Sequence, residues 1–249
     1  MEENKNEQEK IEQEEVKNEQ EKVDKEEIKK ETKETVDAVK ETIKNANFKN
    51  DTKVTKGFIK EFFKNPINEL NVVAKDKGKK FLMIAIIILA IWLVAIVVDN
   101  VLGFASRYLF GEFGNFGFFF NNVFSNMINI IKDLLVPILT LLVLAVSIYL
   151  INNKNKKSFL TILITVIIAK IPVVIATVVS LLNIINSSVS KLTTPFSGFC
   201  NIISTVLLYF GTKSLFEEKE DNKFIKKFAA VMGIYYLAKF ILTFFGLYI

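Results

Sequence analysis

The chain has 249 residues, 51% of them apolar and 24% charged, with a net charge of +5. It has no histidine and one cysteine, which excludes imidazole bases, His-ligated metals, CxxC pairs and any internal disulfide. The charge is segregated: residues 1–57 hold 13 Lys against 17 acids, residues 58–80 six Lys against three, and residues 81–249 13 Lys or Arg against seven. Lysines at the ends of apolar runs are the cytoplasmic charge of a membrane protein, so the basic balance implies a lipid bilayer and no nucleic acid.

Residues 1–53 read as a charged, Glu/Lys-rich cytoplasmic tail, disordered or helical. Its sparse apolar positions, Ile11, Val16, Val23, Ile28, Val36, Val39 and Ile43, keep no heptad, so no coiled coil is expected. Pairs such as Glu21 with Lys25 and Glu26 with Lys30 favour helix locally. The tail is either a solvated segment or an arm that docks a protein partner.

Residues 54–80 change pattern and predict amphipathic juxtamembrane helices. Val54, Phe58, Ile59, Phe62 and Phe63 share one helical face, and Lys53, Lys56, Lys60 and Lys64 line another. An interfacial helix puts its apolar face among acyl chains and its lysines among anionic headgroups. Asn65-Pro66 ends this helix and starts a second, with Ile67, Leu70 and Val73 on one face. Lys75, Lys77, Lys79 and Lys80 form a basic collar before the first span.

Residues 81–249 predict a bundle of five transmembrane helices, at about 81–98, 134–151, 159–182, 196–215 and 228–249. Runs of this length cross a hydrocarbon core of about 30 Å at about 1.5 Å per residue. The first run begins only at Phe81, so it is expected to stay as a span rather than be cleaved. Asp99-Asn100 closes it, and the Gly/Phe-rich residues 101–126 are expected as an outer loop, interfacial or re-entrant. Leu134–Ile151 carries Pro137 in its first turn, and Phe159–Leu182 is broken at Lys170-Ile171-Pro172. The Asn152–Ser158 turn between these two runs holds three lysines and no acid. The fourth span is diluted by Asn201, Ser204, Thr205 and Thr212.

Charge supports that count. With the N-terminus cytoplasmic and the C-terminus outside, five spans put the collar, the Lys154/Lys156/Lys157 turn and the Lys213–Lys227 stretch all inside. The Gly/Phe segment and the Lys191 loop fall outside. Omitting the fourth span would expel one of the basic loops.

Two lysines, Lys170 and Lys239, sit about halfway along their spans. A charge there costs about 2.5–3.5 kcal/mol on insertion scales, which makes each a functional candidate. The acids placed to meet them are Asp99 and Asp133, near the outer ends of their spans, and Pro172 frees carbonyls beside Lys170. The alternative is a packing role satisfied by backbone or water. Cys200, in an apolar segment, reads as a small hydrophobic filler. Ala229 and Gly233 form a small-xxx-small pair suited to close helix contact, within the chain or in a homo-oligomer. No catalytic triad, P-loop, HExxH motif or intramembrane carboxylate pair is present. Neither enzymatic activity nor a cofactor is expected.

The layout resembles the Yip1 family of small polytopic membrane proteins, including its bacterial branch. The likeness covers about residues 58–249. It rests on Phe62-Phe63-Lys64-Asn65-Pro66 before the first span, Lys156-Lys157-Ser158-Phe159 at the start of the third, Pro172 within it, and the five-span plan. Eukaryotic members bind small GTPases and act in vesicle traffic or membrane shaping. The aspartate- and tyrosine-containing segment of their first cytoplasmic domain is not visible here. The resemblance implies a non-enzymatic, membrane-organising or partner-binding scaffold. The alternative from the residues themselves is a transporter or channel component using Lys170, Pro172 and Lys239.

Overall fold

A computed structural model describes residues 29–76, 79–110, 116–152 and 157–244. The tail before residue 29, Lys77 of the collar, the middle of the Gly/Phe segment, Lys154 and Lys156, and the last residues of the fifth predicted span lie outside the described residues. The chain divides into two units, Met1–Asn45 and Ala46–Ile249. In the first, residues 29–44 form helix α1. Val36 and Ile43 are exposed on it, as expected where no apolar stripe exists to be buried.

The second unit is helical throughout its described residues. It comprises α2 Phe48–Lys64, α3 Pro66–Lys75, α4 Lys79–Phe110, α5 Phe116–Ile151, α6 Phe159–Ala169, α7 Ile171–Ser180, α8 Leu182–Ile185, α9 Ser190–Phe216 and α10 Asp221–Phe244. A short 3-10 turn, Ser187–Val189, precedes α9. Four helices are long and apolar enough to cross a membrane: Lys80–Gly103, Met127–Ile151, Ser190–Phe216 and Asp221–Phe244. The pair Phe159–Ala169 and Ile171–Ile185 has the same character only when taken together, bent by 44°.

That bend has a local cause. Pro172 lacks the N–H that would bond the Ile168 carbonyl, and its ring would crowd that carbonyl in a straight helix. The Lys170 N–H turns back to the Ile167 carbonyl at 3.0 Å, and Lys170 takes φ −88°, ψ 0°. The first half of the broken pair is the centre of the bundle. In α6 every residue from Leu160 to Ala169 is buried except Leu163. A helix apolar on all sides must be enclosed, and α6 packs against α3, α4, α5 and α9.

Three features differ from expectation. Asp99 and Asn100 lie inside α4 rather than closing it, and residues 101–110 and 116–126 are helical rather than loop. Isolated glycines cost a helix only about 1 kcal/mol each, which an already nucleated apolar helix can absorb. Pro137 is interior to α5, not in a first turn, so it withdraws the N–H that would bond the Asp133 carbonyl.

The third difference concerns α2 and α3. Asn47 caps α2, accepting from the Asn50 N–H, and Asn65 both ends α2 and caps α3 ahead of Pro66. Phe58 and Phe62, expected among acyl chains, are 8% and 1% exposed, enclosed by the protein itself. The Phe58 ring meets Phe81 of α4 at 5.6 Å. Lys53, Lys56, Lys60 and Lys64 stay exposed, as do Val54 and Phe63. On α3, Leu70, Val73 and Ala74 are buried against α6 and α9.

Gly211 of α9 marks a close approach of these helices. A Cβ there would lie 3.0 Å from the Thr165 methyl and 3.8 Å from a Leu70 methyl. Gly211→Leu should therefore force α3, α6 and α9 apart and destabilise the fold by about 1–3 kcal/mol, the usual cost of overpacking. Thermal unfolding in detergent should show a clearly lowered midpoint.

Candidate functional site

The basic segments converge at one end of the bundle. Lys157 pairs with Glu217 at 2.7 Å, Lys213 with Asp221 at 2.6 Å and Lys227 with Glu218 at 2.6 Å. Asn152 donates its side-chain amide to the Leu215 carbonyl at 3.4 Å, and the Thr161 hydroxyl donates to the Asp76 carbonyl at 3.3 Å. Glu217 ends α9 in the left-handed region, φ 50°, ψ 25°, where glycine is usual, and its carboxylate reaches Lys157 from there. The hydrogen bond from Lys157 holds the Glu217 carboxyl below the usual range, and that from Lys227 does the same for Glu218. Asp76 after α3, Asn152 and Lys157 on either side of the α5–α6 connection, and the α9–α10 turn thus share one end.

The opposite half of the bundle holds a cavity of about 410 Å³. Five helices wall it. Trp92, Ile96, Asp99 and Asn100 come from α4, Asp133, Val136, Pro137 and Thr140 from α5, and Val173 and Thr177 from α7, with Lys170 at its start. Asn201 of α9 and Tyr235 and Lys239 of α10 complete the lining. All four ionisable groups picked out in the spans, Lys170, Lys239, Asp99 and Asp133, therefore meet in one space. Pro172 is buried and does not line it; its part is to break the helix so that Lys170 sits at the bend.

The charges are layered. Asp99 and Asp133, both in the interior of their helices, are exposed, whereas Lys170 and Lys239 are half-buried. From Asp133 to Thr140 is about two helical turns, or about 10 Å of depth. Among the described residues, no carboxylate lies within 4.0 Å of either ammonium, and neither makes a hydrogen bond.

The neutral polar groups have a common orientation of chemistry. Asn100 and Asn201 donate their amides to the Ile96 and Ser197 carbonyls at 3.0 and 2.9 Å. Thr140 and Thr177 donate their hydroxyls to the Val136 and Val173 carbonyls at 2.8 and 3.1 Å. The threonine hydroxyls have their donor committed to their own helices and each asparagine amide keeps one N–H free, while the oxygens of all four remain acceptors. The cavity can thus take both a cationic and an anionic group, and its walls can accept further hydrogen bonds.

Trp92, Asn100, Thr140, Thr177, Asn201 and Tyr235 did not stand out in the sequence as site residues. The available signal was their polarity inside apolar spans, and in Asn201 that polarity reads first as dilution of a weak span. The Ala229/Gly233 pair lies on an exposed face of α10, and a Cβ at Gly233 would meet nothing within 4 Å. Within this chain α10 packs through Phe224 and Val231 instead, with the Phe224 ring 4.9 Å from Tyr209. No protein-family model, curated protein or solved structure matches the chain.

Proposed function

We propose that the chain is a five-span membrane protein, N-terminus cytoplasmic and C-terminus outside, that binds a small polar solute in its outward cavity and belongs to the transporter or channel class. In this reading the bent pair α6–α7 is the third span. The observation that carries it is the meeting of Lys170, Lys239, Asp99 and Asp133 in one cavity within an apolar body. Two mid-span ammoniums cost several kcal/mol together, and packing alone returns nothing for that cost. A broken helix at the base of the cavity is the irregular backbone that membrane interiors tolerate where it lines a polar space.

The test is counterflow in proteoliposomes with labelled small solutes of three charge classes: phosphate, ethanolamine and phosphoethanolamine. Uptake of at least one, lost in the Lys170→Leu/Lys239→Leu double variant, supports the reading. Uptake of none, or uptake unchanged in the variant, refutes it.

The Yip1-like scaffold is the second reading. What favours it is the separate unit formed by the charged tail, whose helix α1 exposes Val36 and Ile43 to any partner. The two readings are compatible if the tail contacts a partner while the bundle binds solute.

A further inference from the structure

We infer that the solute is a zwitterion, with its anionic group held by Lys170 and Lys239 and its ammonium by Asp99 and Asp133; this rests on the solute-binding reading above. The cavity holds two positive and two negative groups, and they are not paired with each other. They are separated by depth instead, carboxylates at the exposed mouth and ammoniums toward the middle of the spans. A simple anion would pass two carboxylates before reaching the lysines. A simple cation would find its partners at the mouth and two like charges below. A neutral solute would leave four charges without counterparts in a low-dielectric site. Only a molecule with a charge at each end satisfies both layers.

Asn100, Thr140, Thr177 and Asn201 fit this ligand, because their free acceptor oxygens add to the carboxylates in receiving ammonium or hydroxyl protons. The same chemistry occurs in a free aminoalkyl phosphate or amino acid and in the headgroup of a zwitterionic lipid.

Trp92 is the only tryptophan and lines the cavity, so its emission reports occupancy without a label. The intact protein in phosphatidylglycerol nanodiscs is titrated with phosphoethanolamine, inorganic phosphate and ethanolamine, and then compared with nanodiscs containing phosphatidylethanolamine. Phosphoethanolamine is expected to shift Trp92 emission saturably, at least tenfold more tightly than either half alone. Lys170→Gln/Lys239→Gln and Asp99→Asn/Asp133→Asn should each weaken it at least tenfold, with unfolding midpoints measured in parallel to show that the variants are folded. A response to the lipid and none to the soluble compound also supports the inference and makes the source a headgroup. Phosphate or ethanolamine binding as tightly as phosphoethanolamine overturns the zwitterion and leaves a solute site of one sign. No response to any probe, soluble or lipid, overturns both.

Discussion

Replacing Lys170 and Lys239 together by leucine should abolish solute binding while leaving the protein at least as stable as before. The two effects have opposite signs for a physical reason. Each lysine costs about 2.5–3.5 kcal/mol at mid-span on insertion scales, so removing it favours the folded, inserted state. Each also supplies a charge-assisted hydrogen bond to a bound anionic group, worth about 1.5–3 kcal/mol. Loss of both predicts a fall in affinity of about 100-fold or more. Thermal unfolding and Trp92 titration on the same sample separate the outcomes. A packing role predicts the reverse: a lowered unfolding midpoint with binding unchanged. The single variants should fall between, because two like charges in one cavity share a ligand and are not additive.

Truncating the buried faces of α2 and α3 should destabilise the whole bundle. Leu70 is fully buried and Phe62 is 1% exposed. Leu70→Ala should cost about 2–5 kcal/mol and Phe62→Ala about 3–5 kcal/mol, the range for large-to-small changes in a packed core. Phe63→Ala, next in sequence and exposed, should stay within about 0.5 kcal/mol. Denaturation in detergent measures all three without a bilayer. If α2 and α3 merely rested on a membrane surface, Phe62 and Phe63 would behave alike and Leu70→Ala would be mild.

The contrast between Phe62 and Phe63 also shows where sequence reasoning stops. Periodicity put both on one apolar face, and the helix with its Asn65-Pro66 end formed as expected. Periodicity does not say what covers a face, and lipid and protein are equally apolar partners for a phenylalanine. The choice depended on Leu70, Gly211 and Thr165 meeting closely enough to seat α3 among the bundle helices, a long-range fact with no local signature. The break at Lys170 was legible because proline acts on its own turn. The length of α4 was not, because the one glycine near its end, Gly103, is tolerated when packing and an adjacent apolar run carry the helix on.

The site divides in the same way. Its four ionisable residues were visible because charge inside apolar runs is rare, and all four line one cavity. Its amide, hydroxyl and aromatic lining was not visible. A threonine bonded to its own helix, as Thr140 and Thr177 are, looks in sequence like any threonine tolerated in a span. Pro137 carried a signal that was misplaced: with the start of α5 set at Leu134 it seemed harmless, whereas inside a longer helix it frees the Asp133 carbonyl at the cavity mouth.

In the proposed topology the cavity opens on the face of the membrane opposite the lysine-rich end. Cys200 is the only cysteine and is buried, so a Cys200→Ser background is free of competing thiols. In that background, Thr177→Cys places a thiol on the cavity wall and Lys219→Cys places one in the charged turn before α10. A membrane-impermeant maleimide applied to intact cells should label Thr177→Cys and not Lys219→Cys, with the pattern reversed in inverted vesicles. Labelling of Thr177→Cys only from the Lys219 side, or only after the membrane is dissolved, would contradict it.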